Sequence, residues 1–259
     1  MKKVSLLLML ALSTGTLSAA NKIDPKPFID ATALLIYLET NTSRETYNSI
    51  IEGQSLWMNS AEKDCDTLYL EIGSSSMRND LHKSCMQSQY ARRKNYLSAF
   101  ICGAGIQSGE DCNATNEAAR YLESSNKTPE VFIARLRDFI FKDNLLHKER
   151  AIATLDDFAA EILASELLKT EKDAAILNDL GYAMSESSSL GGAYVILSEV
   201  EKIAPNRTVL KINIADTLWE MNQKDKAIPY YEQYISAMNN SGKSDSIPDR
   251  AITRSIQKH

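Results

Sequence analysis

Apolar side chains recur along most of this chain at three- and four-residue intervals, the spacing that gathers them on one face of an α-helix. Asp24-Pro25-Lys26-Pro27 reads as an extended lead-in, and the apolar run from Phe28 to Leu38 predicts a helix behind it. Thr42 or Ser43 can cap the next one, with Glu45 close behind. In that helix Tyr47, Ile50, Ile51, Leu56, Trp57 and Ala61 fall near helical spacing. Gly73-Ser74-Ser75-Ser76 is a break, and a second helix is predicted from Leu81 to Ile101. Gly103-Ala104-Gly105 and Gly109 then form a loop. Thr128-Pro129-Glu130 starts another helix, with a capping hydroxyl, proline at the first helical position and an acid in the first turn. Phe132, Leu136, Phe139 and Ile140 form its apolar stripe. A further stripe runs through Leu155, Phe158, Ala159, Ile162 and Leu163.

Composition sharpens this into a fold class. Ten glycines and six prolines in 259 residues are few for a turn-rich β-sandwich or barrel, so the expected class is all-α. With 44% hydrophobic and 24% charged residues the chain is globular, not disordered. The formal charge of −5 supplies no basic footprint for nucleic acid. Met1-Lys2-Lys3, the apolar stretch from Val4 to Leu17 and the small residues Ser18-Ala19-Ala20 have the three parts of a secretory signal peptide. Residues 1–20 are therefore expected to be removed before Asn21, leaving no membrane span and a periplasmic chain. Without Lys2 and Lys3, 27 basic residues face 34 acidic ones, a balance of −7.

Cys65, Cys85, Cys102 and Cys112 are the whole cysteine supply. In an oxidising compartment an even count implies two disulfides, with three connectivities open. A zinc site lacks its paired C-x-x-C spacing and has only His82 nearby. The clustering marks residues 45–112 as a unit small enough to need staples. Residues 21–125 are assigned to this disulfide-tied module and 126–259 to a helical linker, repeats and a terminal helix.

The repeats lie near the C-terminus. Leu180-Gly181, Met184, Ala193, Leu197 and Val200 return 34 residues later as Ile214-Ala215, Leu218, Ala227, Tyr231 and Tyr234. Each unit reads as two helices that bury their faces only by stacking on the next. Across Ala174 to about Met238 the sequence resembles the tetratricopeptide repeat superfamily, with units at 174–207 and 208–241. Ala159 suggests a degenerate earlier unit, although His147 stands where a small residue belongs. Pro248 falls where a third unit needs an apolar residue. It opens a terminal helix through Ile252 and Ile256 instead. The family's groove positions correspond to Asn178, Tyr182, Ile212, Asp216 and Trp219, which the resemblance implies face a protein partner. No basic clamp for a carboxylate end is evident, and Asp179 and Asp216 are expected to repel one.

Gln54-Ser55-Leu56-Trp57, Asp64-Cys65, Gly73, Ser76-Met77-Arg78, Cys85 and Arg93 form a second recognisable succession. Over about 60 residues it resembles the second half of the LprI-type lysozyme inhibitor domain, with Ala61 where that family usually carries arginine. The resemblance implies a Cys65–Cys85 bridge, which leaves Cys102 to pair with Cys112. It also implies a muramidase or cell-wall toxin as partner. The contact would run through an exposed loop holding Ser76, Met77 and Arg78.

No G-x-S-x-G elbow, phosphate loop, H-E-x-x-H or dinucleotide fingerprint is present. His82, His147 and His259 are isolated. Asp156-Asp157 and Glu110-Asp111 are sequence neighbours whose side chains face apart on a helix. Arg92-Arg93-Lys94 reads as a solvated helix face. The chain is thus expected to be a non-enzyme without cofactor or metal, working through protein contacts. An envelope scaffold or chaperone holding peptides in its groove is the competing reading.

Overall fold

The structure is a computed structural model describing residues 23–68, 75–104, 112 and 129–257. The expected signal peptide, Gly73-Ser74, Gly105, Gly109, Glu110-Asp111, Thr128 and His259 lie outside the described residues. Among the described residues the fold is all-α, with eleven α-helices and one two-residue β-ladder. None of these helices is long and apolar enough to cross a membrane.

Helix α1 (Lys26–Asn41) is apolar nearly all round, and Phe28, Leu34, Leu35 and Leu38 are fully buried. Such a helix is stable only when surrounded. It packs mainly on α3 (Ser75–Gly103), with α2 (Arg44–Leu68) and α4 (Pro129–Ile140) against its other sides. The Ser43 hydroxyl accepts from the Thr46 amide at 3.2 Å and so caps α2. Helix α3 begins six residues earlier than Leu81, so Ser75 to Arg78 form its first turn. Cys65 is bonded to Cys85 across α2 and α3, with Cα atoms 5.7 Å apart. Cys102 is bonded to Cys112. Closing a loop of 20 residues contributes roughly 3 kcal/mol in the chain-entropy model.

After α4 the chain makes a hairpin that helical periodicity does not announce. Phe141 pairs with Leu146 and Lys142 with Leu145. Asp143 and Asn144, both at positive φ, make the turn. Helix α5 (Lys148–Thr154) follows, with His147 at its N-cap and not at a helix crossing. The Arg150 guanidinium meets Glu39 at 2.7 Å and the Phe139 carbonyl at 2.8 Å, tying α5 to α1 and α4. Helix α6 (Asp157–Ile162) runs into a π-helical turn, Leu163–Leu167. The apolar stripe from Leu155 to Leu163 thus crosses a break in the backbone.

The last third is two successive helical hairpins. They are α7 (Glu171–Glu186) with α8 (Leu190–Ile203), and α9 (Thr208–Glu220) with α10 (Lys224–Asn240). The 34-residue period extends to the turns. Ser188 and Asn222 both take positive φ. The amides of Ser189 and Gln223 close back on the carbonyls of Met184 and Leu218 at 3.0 and 2.9 Å. Ala193 and Ala227 are fully buried. A Cβ on Gly181 would stand 2.7 Å from Leu197 Cδ2, so a side chain there would separate α7 from α8. Gly192 has the same role where α8 meets α6, because a Cβ there would run into Met184 and into Asp157 of α6. Pro248 precedes α11 (Asp249–Ser255), which packs on α10. Its inward residue is Ala251, whereas Ile252 and Ile256 face solvent.

The buried residues of all these segments form one continuous core, from Phe28 of α1 to Ala251 of α11. Ala193→Leu and Ala227→Leu are each expected to lower unfolding free energy by roughly 1–3 kcal/mol, because neither crossing has room for an isobutyl group. A urea titration reads this directly, and neutrality of both variants would contradict the tight crossings.

Candidate functional site

The faces of α7 and α9 meet α11 around a cleft of about 540 Å³, lined by Tyr182, Ser185, Glu186, Asp216, Glu220, Arg250 and Arg254 among others. Its floor is a charged network. Asp216 accepts from Arg250 Nη2 at 2.9 Å, from Arg254 Nη1 at 3.2 Å and from the Tyr231 hydroxyl at 2.6 Å. Arg254 also donates to Tyr231 at 3.0 Å and to Glu220 at 3.1 Å. Its guanidinium lies 5.0 Å from the Trp219 ring centroid, with the Lys224 ammonium 5.1 Å from the same ring. Burial raises the Tyr231 pKa well above its usual value, and the hydrogen bond to Asp216 adds to this. The phenol therefore stays a donor at physiological pH. Tyr182, at the mouth, keeps 38% of its surface exposed.

Two of the five groove residues expected from the sequence, Tyr182 and Asp216, come together here. Asn178 and Ile212 are buried, and the Asn178 side-chain carbonyl accepts from Asn213 at 3.2 Å. Trp219 is half-buried beside Arg254 and Lys224. The expectation that Asp179 and Asp216 repel an anion is corrected by geometry. Arg137 takes Asp179 at 3.0 Å, and the two arginines of α11 take Asp216. These arginines lie outside the repeats, so a search for basic groups on repeat helices misses them. The available signal is the i, i+4 pair Arg250 and Arg254 on a helix placed by Pro248.

In the disulfide-tied helices, Ser76, Met77 and Arg78 belong to the first turn of α3 and not to a loop, with Met77 and Arg78 exposed. Ala61 is buried, where an arginine would bring a charge into the core. Arg93 does not lie on a solvated face. It is half-buried between the rings of Trp57 and Tyr96. His82 stands 3.4 Å from Asp66, and His147 stands 3.3 Å from Glu149.

The Asp156-Asp157 pair splits as expected for neighbours. Asp156 is buried, accepting from the Tyr90 hydroxyl at 2.8 Å and, as the cap of α6, from the Ala159 amide at 2.7 Å. Asp157 turns toward the start of α8, with Ser189 donating to it at 3.4 Å. A second cleft, of about 400 Å³, runs past these residues and Glu62. Burial pushes the Asp156 carboxyl up to about 7, more than its two hydrogen bonds offset. Burial, together with Asp157, also raises Glu62. Among the described residues no group of three or more His, Cys, Asp or Glu side chains is arranged to hold a metal ion.

Comparison of the chain with family models, curated proteins and solved structures finds no match.

A carboxyl that binds its proton more tightly when folded stabilises the fold only while that proton is kept. Between the unfolded pKa near 4 and the folded value of about 7, the unfolded state has lost the proton and the folded state has not. Stability therefore falls as pH rises from about 4 to about 7 and is flat above. In urea titrations at pH 4.5 and 7.5, the wild type is expected to lose on the order of a few kcal/mol relative to Asp156→Asn. Equal pH dependence in the two proteins would contradict this assignment.

Proposed function

We propose that this chain is a periplasmic protein-interaction protein. Its hairpins are tetratricopeptide-like, and a segment of a partner protein lies in the cleft between α7, α9 and α11. The observation that carries the reading is the cleft itself. An exposed tyrosine stands over an arginine–carboxylate network that is already paired and packed against Trp219. Tyrosine anchors protein contacts because it buries a large area at modest entropic cost, and arginine is enriched among such anchors. Pairing within the network fixes the arginines before binding, which lowers the cost of ordering them. The lining is open and polar, unlike the enclosed apolar cavity that suits a small molecule.

A second reading is favoured by a specific observation. The Cys65–Cys85 pairing is the one implied by the resemblance to the lysozyme inhibitor domain, and Met77 and Arg78 are exposed at the start of α3. In this reading the first turn of α3 presents Arg78 to the catalytic carboxylates of a peptidoglycan-cleaving enzyme. The disulfide holds that turn in place.

Photo-cross-linking of the full chain separates the two. With a photoreactive residue at Tyr182, a protein adduct is expected that an equivalent residue at exposed Val195 does not form. Arg250→Glu is expected to reduce it about tenfold. Adducts from Arg78 but none from Tyr182, with muramidase inhibition lost in Arg78→Ala, would overturn the cleft reading in favour of the second.

A further inference from the structure

A separate groove of about 380 Å³ runs between α2 and α3, bordered by Ile50 and Gly53 on one side and by Arg93, Tyr96, Leu97 and Phe100 on the other. Three features of it are not fully accounted for by contacts within the chain. The first is Arg93. Its guanidinium is held 4.8 Å from the Tyr96 ring centroid and 5.5 Å from that of Trp57, and its Nε donates to Gln54 at 2.6 Å. Among the described residues no carboxylate stands within ion-pairing distance of it, whereas Arg137, Arg150 and Arg254 each hold one. The second is charge. From Leu81 to Gly103, α3 carries Lys83, Arg92, Arg93 and Lys94 and no acid, in a chain whose net charge is −5.

The third is Gly53. Glycine inside a helix costs roughly 0.5–1 kcal/mol relative to alanine. A Cβ at this position would meet no atom within 4 Å. No crossing within the chain requires the missing side chain, whereas close approach of another molecule's backbone would. Tyr96, 59% exposed, forms the rim of the same groove.

We propose that this groove docks a segment of a partner protein in which an acidic residue is flanked by an apolar one. The carboxylate pairs with Arg93, and the apolar side chain lies over Gly53 and against Leu97 and Phe100. Arg93 is stacked and hydrogen-bonded in advance, so it offers its free edge in the fork geometry a carboxylate accepts. The flanking Arg92 and Lys94 favour acidic partners in the encounter. This surface is distinct from the cleft at α7, α9 and α11 and does not depend on its use.

The test places a photoreactive phenylalanine analogue at Tyr96 of the full chain in the cells that make it. Mass spectrometry then identifies the cross-linked segment. The expected adduct is a segment of another protein with Asp or Glu beside an apolar residue. Adduct yield is expected to fall at least about tenfold with Arg93→Glu and to recover when the partner's acid is changed to lysine. Gly53→Leu is expected to reduce it comparably while leaving the melting temperature unchanged or higher, which separates loss of docking from loss of fold. The proposal is overturned by an adduct to residues 105–128 of this chain, to a second copy or to a segment without an acid. Absence of any adduct, or a yield insensitive to both substitutions, overturns it equally.

Discussion

The phenol of Tyr90 is where the disulfide-tied helices and the helical hairpins become one body. Its ring meets Phe28 of α1 and Trp57 of α2 in T-shaped contacts and stacks on Phe158 of α6, with centroids 5.2 to 5.5 Å apart. Its hydroxyl reaches the Asp156 carboxyl group, which also caps α6. A fully buried polar pair is favourable only when each partner satisfies the other. Register between α3 and α6 is therefore set by this buried bond. Lys83 and Glu161 repeat the link at the surface, 2.9 Å apart. From α6 the packing continues: Gly192 brings α8 against it, α7 packs on α8 and also on α4 and α5, and α9 follows one period on.

The same logic, a contact supplied from outside the element that needs it, governs the cleft. Asp216 on α9 would leave a net negative hairpin face. The short α11 reaches back across 34 residues of sequence to neutralise it. Stacked helical hairpins need a closing helix with a polar outer side. Here that helix also sets the electrostatics of the cleft, since the same two arginines that tie it to α9 line the cleft. The exposed Ile252 and Ile256 show that α11 is held by its charges and Ala251 more than by an apolar stripe.

Most of the architecture was legible in the sequence because helical periodicity and a 34-residue repeat are local or strictly spaced signals. Ala193, Ala227 and the capping Ser43 behave as their spacing predicts. Spacing alone left three cysteine connectivities open, and the observed Cys65–Cys85 pair is a tertiary contact between α2 and α3. What escaped depends on tertiary context. The hairpin at 141–146 turns on Asp143-Asn144 without the glycine that usually marks such a turn. The start of α3 at Ser75 overrides a serine-rich break that reads as loop. Asn178 and Ile212 occupy groove positions by analogy, yet the stacking of α9 on α7 buries them. Arg93 looked like a member of a solvated basic run because the two aromatic rings enclosing it come from different helices.

The central claim is that Tyr90 and Asp156 hold the two halves in a single cooperative unit. A double-mutant cycle on Tyr90→Phe and Asp156→Asn, read by urea unfolding at pH 5.5 with probes in both halves, tests it most directly. The account predicts coincident transitions in every variant and a coupling energy of about 1–3 kcal/mol between the two sites. Additive effects, or separate transitions for the disulfide-tied helices and the hairpins in the wild type, would contradict it.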